Sequence, residues 1–285
     1  MKTFTEELYK KYYQSIAIDK IIIKKNSQYQ KILIFDSKDF GRVMALDKII
    51  QITERDHYGY SEMLTHLPII SHGNIKKVLI VGGGDGAIAT EILKHNNIEE
   101  ISICEIDEEV INLSKMYLKN INRKSLDSPK VKIIIQDAYK FITDKNLKNY
   151  FDLIIADRPD PIGPGKNLFS TKFYKNISNI LSKTGIAVFQ NGVPFFQKEE
   201  LIKTNIYLKN TFKYSGVYLT VVPTYIGGYM ALTWASKETD ISNKNIDTKQ
   251  IKNTADLLNT KYYNTEIHKS SFYLPTWIKK ISNIN

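Results

Sequence analysis

Five carboxylates carry the chemical signal of this chain: Asp85, Glu105, Asp137, Asp157 and Asp160. Each ends or follows an apolar, β-forming run: Val78–Val81 precedes Asp85, Ile101–Glu105 ends on Glu105, Val131–Ile135 precedes Asp137, and Leu153–Ala156 precedes Asp157 and Asp160. Ligands of open α/β sheets bind at the carboxyl ends of the strands. The five acids are therefore expected to converge on one sheet edge, with Gln190 closing a further run, Ile186–Gln190. Thirty acidic residues scattered at random would rarely place one at the end of each of four successive strands.

The first of these corners, Val78–Gly86 (VLIVGGGDG), runs a strand into a glycine-dense turn and then into a helical pattern from Ala87 to Lys94. That is the nucleotide-binding corner of a doubly wound fold, with Gly82 and Gly84 placed against the nucleoside. Asp85 inside the turn repels phosphate, which wants bare N–H groups and a helix dipole, and suits a cation. Glu105, 23 residues beyond Gly82 at the end of the next strand, stands where an acid takes ribose hydroxyls. Asp137 beside the small Ala138 suits the amino edge of an adenine, and it equally fits a helix N-cap for Ala138–Phe141. Asp85, Asp157 and Asp160 then ask for a second, positively charged ligand, a metal or a polyamine. Metal is disfavoured: His57, His66, His72, His95 and His268 show no ligand spacing, and each reads as a surface or capping histidine. Tyr60 and Tyr225 suit an alkyl-diamine, whose methylenes pack on rings while its ends need acids.

These residues need a scaffold, and the chain shows two regimes. From Ile16 to about Asp56 short β-rich runs (Ile16–Ile23, Ile32–Phe35, Arg42–Leu46, Lys48–Ile52) are separated by turn residues, which predicts a small antiparallel meander. From Tyr58 onward strands alternate with helical patterns such as Glu108–Leu118 and Lys172–Leu181, which predicts βαβ units and a parallel sheet. Val217–Val222 and Tyr229–Ala235, split by Pro223 and Gly227–Gly228, predict a terminal antiparallel hairpin. The fold class is thus α/β, a doubly wound, mostly parallel Rossmann-like sheet with a small N-terminal antiparallel β domain. The expected domains are residues 1–57 and 58–285.

Composition bounds the function classes. The 285 residues can bury a substantial core, no apolar run approaches a membrane span, and the charged N-terminus does not read as a signal peptide. The single cysteine, Cys104, lies in a strand pattern, reads as a packed core thiol and fits a cytoplasmic location. The net charge of +10 comes from lysines scattered singly and in pairs, so neither a nucleic-acid nor a membrane partner is expected.

Seven segments resemble the polyamine aminopropyltransferase family, which includes the bacterial spermidine synthases, over almost the whole length. They are Phe40–Asp56 (FGRVMALDKIIQITERD), Val78–Gly86, Cys104–Asp107 (CEID), Asp160–Gly165 (DPIGPG), Gln190–Gly192, Pro223–Gly228 (PTYIGG) and Tyr262–Ile267 (YYNTEI). The resemblance implies a methyltransferase-type sheet, decarboxylated S-adenosylmethionine as donor and co-substrate with no bound cofactor or metal, and putrescine as acceptor. It implies spermidine and methylthioadenosine as products. Separately, the β-rich N-terminal meander has exposed edges that offer a dimer surface, and a homodimer or homotetramer is expected. Gln30, Glu105, Asp137, Ala138 and Pro164 match nucleoside-binding positions. Asp85, Asp157 and Asp160 match diamine-binding positions, and Asp157 matches the proton acceptor. Ser61 stands where a Gln or His helps to hold the diamine. Arg158–Pro159 fill a loop that is usually small; because a residue before proline is pushed to extended conformations, Arg158 is expected to point away, its head reaching solvent or a surface acid. The alternatives are an S-adenosylmethionine-dependent methyltransferase acting on a small amine or RNA, or an impaired relative serving as a binding subunit.

Overall fold

The structure, a computed structural model, describes residues 2–9, 11–159, 163–242 and 248–282. At the N-terminus β1 (Lys2–Thr5) pairs antiparallel with β2 (Ser15–Ile18), and β3 (Lys20–Asn26), β4 (Lys31–Ser37), β5 (Gly41–Leu46) and β6 (Ile49–Thr53) form the antiparallel meander in chain order. Two boundaries differ from the sequence reading. The run Ile16–Ile23 breaks at Asp19, whose carboxylate accepts from the Lys38 N–H, so that β2 and β3 belong to different sheets. Lys48 is in a turn rather than a strand: Asp47 and Lys48 both have positive φ (46° and 67°), the two-residue geometry whose twist matches a β-hairpin.

A helix, α1 (Tyr58–His72), then leads into a seven-stranded sheet. Its strands are β7 (Lys77–Gly82), β8 (Glu100–Glu105), β9 (Val131–Ile135), β10 (Phe151–Asp157), β11 (Leu181–Gln190), β12 (Tyr214–Val221) and β13 (Tyr229–Ser236), in the spatial order β12-β13-β11-β10-β7-β8-β9. β7 to β11 are parallel; β13 runs antiparallel to both β11 and β12, forming the expected terminal hairpin. The connecting helices are α2 (Ala87–Ile92), α3 (Glu108–Tyr117), α4 (Lys119–Asn122), α5 (Ala138–Phe141), α6 (Thr171–Ile180) and α7 (Pro194–Thr211), and α8 (Thr248–Leu258), α9 (Thr265–Ser270) and α10 (Thr276–Ser282) follow. The architecture is the doubly wound, mostly parallel sheet that the sequence predicts.

Continuous apolar strands are what a sheet covered on both faces requires. Along β7 alternate residues divide between the two sides: Val78 and Ile80 join the core with Met63 and Leu67 of α1, while Leu79 and Val81 join the core with Phe173 and Ile177 of α6. Cys104 lies in that second core, buried as expected, and burial raises its thiol pKa to about 12. The meander packs Ile32, Ile34, Met44 and Ile52 against Ala87 of α2 and Val110 and Leu113 of α3. This seats it beside the helices that leave the carboxyl ends of β7 and β8. No helix among the described residues is long and apolar enough to cross a membrane.

Candidate active site

From β7 the chain proceeds to β8 on one side, while β10 lies on the other, so the order reverses between β7 and β10. Gly82 and Asp157 pair in register at this switch point, the position where open α/β sheets bind ligands. Gly82 has φ +84°, and a Cβ there would lie 2.1 Å from the Asp157 carbonyl oxygen, so only glycine permits the two strands to end this closely. At Gly84 a Cβ would come within 2.9 Å of Val110 Cγ1 and 3.1 Å of Glu105 Oε2. Its absence leaves room for the Glu105 carboxylate.

Two adjoining hollows open at this edge. Among the described residues they share Gln51, Asp85, Asp157, Arg158 and Pro159. One hollow adds Tyr60, Ser61, Tyr225 and Gln190; the other adds Gln30, Gly82, Gly84, Glu105, Asp137 and Ala138. The structure thus gathers the proposed amine residues on one side and the proposed nucleoside residues on the other, with Asp85 and Asp157 between them. Asp160 lies outside the described residues. Pro164 sits on the helical turn Gly163–Phe169, and its side chain lies outside them too.

The Tyr60 hydroxyl donates to Asp157 Oδ1 at 2.5 Å, and the Tyr225 ring meets the Tyr60 ring edge-on with centroids 5.9 Å apart. The Tyr225 hydroxyl donates to the Gln51 carbonyl. Asp85 accepts from the Ala87 N–H at 2.7 Å, Asp137 from the Tyr139 N–H at 2.9 Å as the N-cap of α5, and Glu105 Oε1 from the Ile106 and Asp107 N–H groups at 2.7 and 3.0 Å. Gln30 Nε2 donates to Asp107 at 2.9 Å, which ties the meander to the edge of β8. Ser61 donates to the His57 carbonyl at 3.0 Å.

Crowding acids out of water disfavours their ionisation. Desolvation and then the Asp85 charge raise the Asp157 pKa to about 7, against which the Tyr60 hydrogen bond pulls down. Desolvation likewise raises Glu105 to about 7, and burial raises Asp85. The edge is a concentrated, partly protonated acid site in a chain whose net charge is +10, and it favours a ligand that brings positive charge with it.

Two expectations are corrected. Arg158 does not reach solvent or a surface acid: it is 2% exposed. Its Nη1 donates to the Leu168 carbonyl and, at 2.9 Å, to the Tyr174 hydroxyl, while Nε donates to the Gln190 carbonyl at 3.3 Å. The guanidinium carbon stands 3.7 Å over the Phe169 ring, with Tyr174 and Phe189 rings at 5.4 Å. A planar, weakly hydrated cation can exchange water for carbonyls and ring faces, an exit the extended backbone does not reveal. Burial lowers the Arg158 pKa, and no carboxylate among the described residues pairs with it. The histidines are also not all surface or capping groups: His66, His95 and His268 are buried. His66 bonds Glu91 through Nε2 and His95 through Nδ1, each at 2.9 Å, and His268 Nδ1 lies 2.6 Å from the Tyr263 hydroxyl.

Three supporting acids escaped the sequence reading although two sit in quoted segments. Asp107 caps α3 and receives Gln30; Asp56 accepts from the Thr224 N–H and hydroxyl at 2.8 and 2.7 Å, holding the loop that carries Tyr225. Glu62 accepts from the N–H groups of Lys261, Tyr262 and Tyr263, each at 2.8 Å, fixing the C-terminal segment on α1.

Family models match in two blocks: a spermine/spermidine synthase domain over residues 57–245 and a spermidine synthase tetramerisation domain over residues 3–54. The chain belongs to the spermine/spermidine synthase family. It is 44% identical over 277 residues to a polyamine aminopropyltransferase of Buchnera aphidicola subsp. Acyrthosiphon pisum, covering 97% of this chain and 96% of that one. It is 40% identical over 278 residues to the polyamine aminopropyltransferase of Shigella boydii, with 98% and 96% covered. Among solved structures, spermidine synthase from Thermotoga maritima superposes with a TM-score of 0.92 at 33% identity, covering 100% of this chain and 95% of that one. A spermidine synthase in complex with the transition state analogue AdoDATO gives 0.92 at 34%, covering 100% and 96%. As a family member the chain is an enzyme, a polyamine aminopropyltransferase.

Proposed function

We propose that this aminopropyltransferase moves the aminopropyl group of decarboxylated S-adenosylmethionine onto putrescine, giving spermidine and methylthioadenosine, with Asp157 as the general base. The observation that carries this reading is the place of Asp157: on the boundary of both hollows, at the switch point of the sheet, with a pKa near 7. The amine nitrogen attacks the methylene carbon beside the sulfonium. The C–S bond breaks with its electron pair going to sulfur, and the nitrogen's proton passes to Asp157. Sulfur is already a good leaving group, so the work of the site is alignment and deprotonation. A base whose pKa lies near the working pH combines readiness to accept a proton with a substantial ionised fraction.

In this reading Glu105 takes the ribose hydroxyls, Asp137 and Ala138 meet the adenine, and Gln30, Gly82, Gly84 and Pro164 complete the nucleoside side. Asp85 pairs with the distal ammonium, Asp160 adds a further charge for the diamine, and Tyr60, Ser61 and Tyr225 line its path. An acid-rich edge repels the carboxylate of unmodified S-adenosylmethionine and favours the decarboxylated donor. The donor is a co-substrate, so no bound cofactor or metal enters the reaction, and no nucleic acid or membrane partner is called for. Self-association as a homodimer or homotetramer draws support from the tetramerisation-domain match at residues 3–54, and a cytoplasmic location from the lone, buried Cys104.

The test is incubation with either form of the donor and a panel of diamines, reading methylthioadenosine as the product of aminopropyl transfer and S-adenosylhomocysteine as the product of methyl transfer. Turnover with the decarboxylated donor and putrescine is expected. Turnover with unmodified S-adenosylmethionine alone would make the chain a methyltransferase. Light scattering on the same preparation reads the assembly.

A further inference from the structure

The buried guanidinium of Arg158 lies one residue from Asp157 but outside the chemistry described above. Its partners are spread over the architecture. Leu168 belongs to the turn Gly163–Phe169, which walls the nucleoside hollow through Gly165 and Leu168; Gln190 ends β11 and walls the amine hollow. Tyr174 on α6 continues inward, its hydroxyl 3.0 Å from Thr204 Oγ1 on α7, which accepts from Asn191 Nδ2 at 2.9 Å; Asn191 Oδ1 accepts from Thr233 of β13 at 2.6 Å. One side chain therefore joins the walls of both hollows and anchors them to a buried polar chain that crosses the sheet edge.

We infer that Arg158 is a positioning residue of this aminopropyltransferase: by bridging Leu168, Gln190 and Tyr174 it fixes the partition between the two hollows, and with it the line along which the amine meets the reacting carbon. The fork geometry is what the task needs. Two carbonyls and a hydroxyl on three separate elements are reached by donors fixed in one plane, an arrangement that the single ammonium of a lysine cannot reproduce. The ring of Phe169 under the guanidinium holds that plane in place. Because Nε and Nη1 are held by carbonyls and a hydroxyl and the plane lies on a ring face, with Nη2 buried and without a hydrogen-bond partner among the described residues, the guanidinium does not compete with the ammonium groups of the diamine for the carboxylates. Displacement demands near-contact alignment of the reacting atoms, and a shift of about 1 Å from a remote change costs on the order of 10² in rate. Loosening this partition is therefore expected to appear in kcat before it appears in amine binding.

The inference rests on the proposed reaction, and the experiment separates the two. Steady-state kinetics with decarboxylated donor and putrescine are compared for the parent, Arg158→Lys, Arg158→Gln and Tyr174→Phe, with methylthioadenosine affinity measured by calorimetry. Amide exchange over residues 163–170 is followed in the ligand-free proteins. Both Arg158 variants are expected to lose at least about tenfold in kcat with the putrescine KM within about threefold, and to exchange faster over 163–170 while exchange in β7 and β8 is unchanged. Tyr174→Phe, which removes one acceptor and keeps the ring, is expected to fall between them and the parent. Three results would overturn the inference: Arg158→Gln turning over within about twofold of the parent, Arg158→Lys restoring full activity, or Arg158→Gln binding putrescine about tenfold more tightly. The last would assign the residue to charge competition. If Arg158→Gln fails to fold, Arg158→Lys and Tyr174→Phe decide by the same criteria. A parent that makes no methylthioadenosine from any diamine would sink the proposed reaction, while the exchange comparison still tells whether Arg158 holds the partition.

Discussion

Tyr60 and Asp157, 97 residues apart in sequence, share a hydrogen bond of 2.5 Å from the tyrosine hydroxyl to Oδ1 of the carboxylate. α1 supplies one partner and the end of β10 the other, so the bond forms only when the first helix of the catalytic sheet is seated. It fixes the carboxylate's orientation and favours its charged form, while desolvation and Asp85 push the opposite way. Burial and the neighbouring Asp157 charge raise the Tyr60 pKa, so the phenol remains a donor throughout the working range.

The first prediction follows from that geometry. Asp157→Asn keeps an oxygen that can accept from Tyr60 but cannot take the proton of the attacking amine. The variant is expected to lose about 10²–10⁴ in kcat, the usual worth of a general base, with methylthioadenosine affinity little changed. Single-turnover rates beside a calorimetric titration check it; activity within a few-fold of the parent would require another base.

The pH profile should show the same group. With Asp157 at about 7 in the ligand-free enzyme, kcat/KM for putrescine is expected to fall as pH drops below about 7, since protonation removes both the base and the charge that attracts the amine. A bound ammonium favours the ionised carboxylate, so the acid limb of kcat should lie lower than that of kcat/KM. Tyr60→Phe removes the bond that stabilises the charged form, and its kcat/KM limb should move to higher pH. A limb moving down in that variant would contradict the assigned direction of the bond.

Much of this site was legible because strand ends are legible. An apolar β run that stops at an acid announces both a strand and the end of the sheet at which the acid emerges, and Asp85, Glu105, Asp137 and Asp157 are all legible on that ground. What stayed hidden depends on partners distant in sequence. Nothing near Arg158 announces that Phe169, Tyr174 and Phe189 will enclose it, and nothing near His66 announces Glu91 and His95. The break at Asp19 depends on a backbone N–H 19 residues away, which no local periodicity reports. Asp56 and Glu62 hold segments 168 and about 200 residues further along, and a local reading sees each only as one more acid in a helical or turn region.

In the proposed reading Asp85 stands between the two ligands. It borders both hollows, and its carboxylate accepts from the Ala87 N–H at 2.7 Å, a contact that an Asn oxygen can keep. Asp85→Asn is therefore expected to raise the putrescine KM by about tenfold or more, the loss of one charge-assisted contact, while methylthioadenosine binds within about threefold of the parent. Kinetics and calorimetry on one preparation decide this. A nucleoside affinity that fell as far as the amine's would place Asp85 against the donor.

The last prediction concerns stability without ligand. Asp157 has a pKa of about 7 in the folded protein against an ordinary 3.8, so between those values the folded chain binds more protons than the unfolded one. Stability is then fully present below the unfolded pKa and is lost as pH rises through about 7, where the folded carboxylate finally ionises beside Asp85. Asn does not titrate, so Asp157→Asn escapes that loss. One pKa unit corresponds to about 1.4 kcal/mol, and the half-buried carboxylate retains only part of the full shift once solvent screening is allowed for, leaving a gain on the order of 1–3 kcal/mol at pH 8. Thermal melts of the ligand-free parent and variant at pH 5 and pH 8 are expected to show the variant more stable at pH 8, with the gap narrowing at pH 5. A gap of the same size at both values would trace it to packing around the new amide, because only the charge carries a dependence on pH.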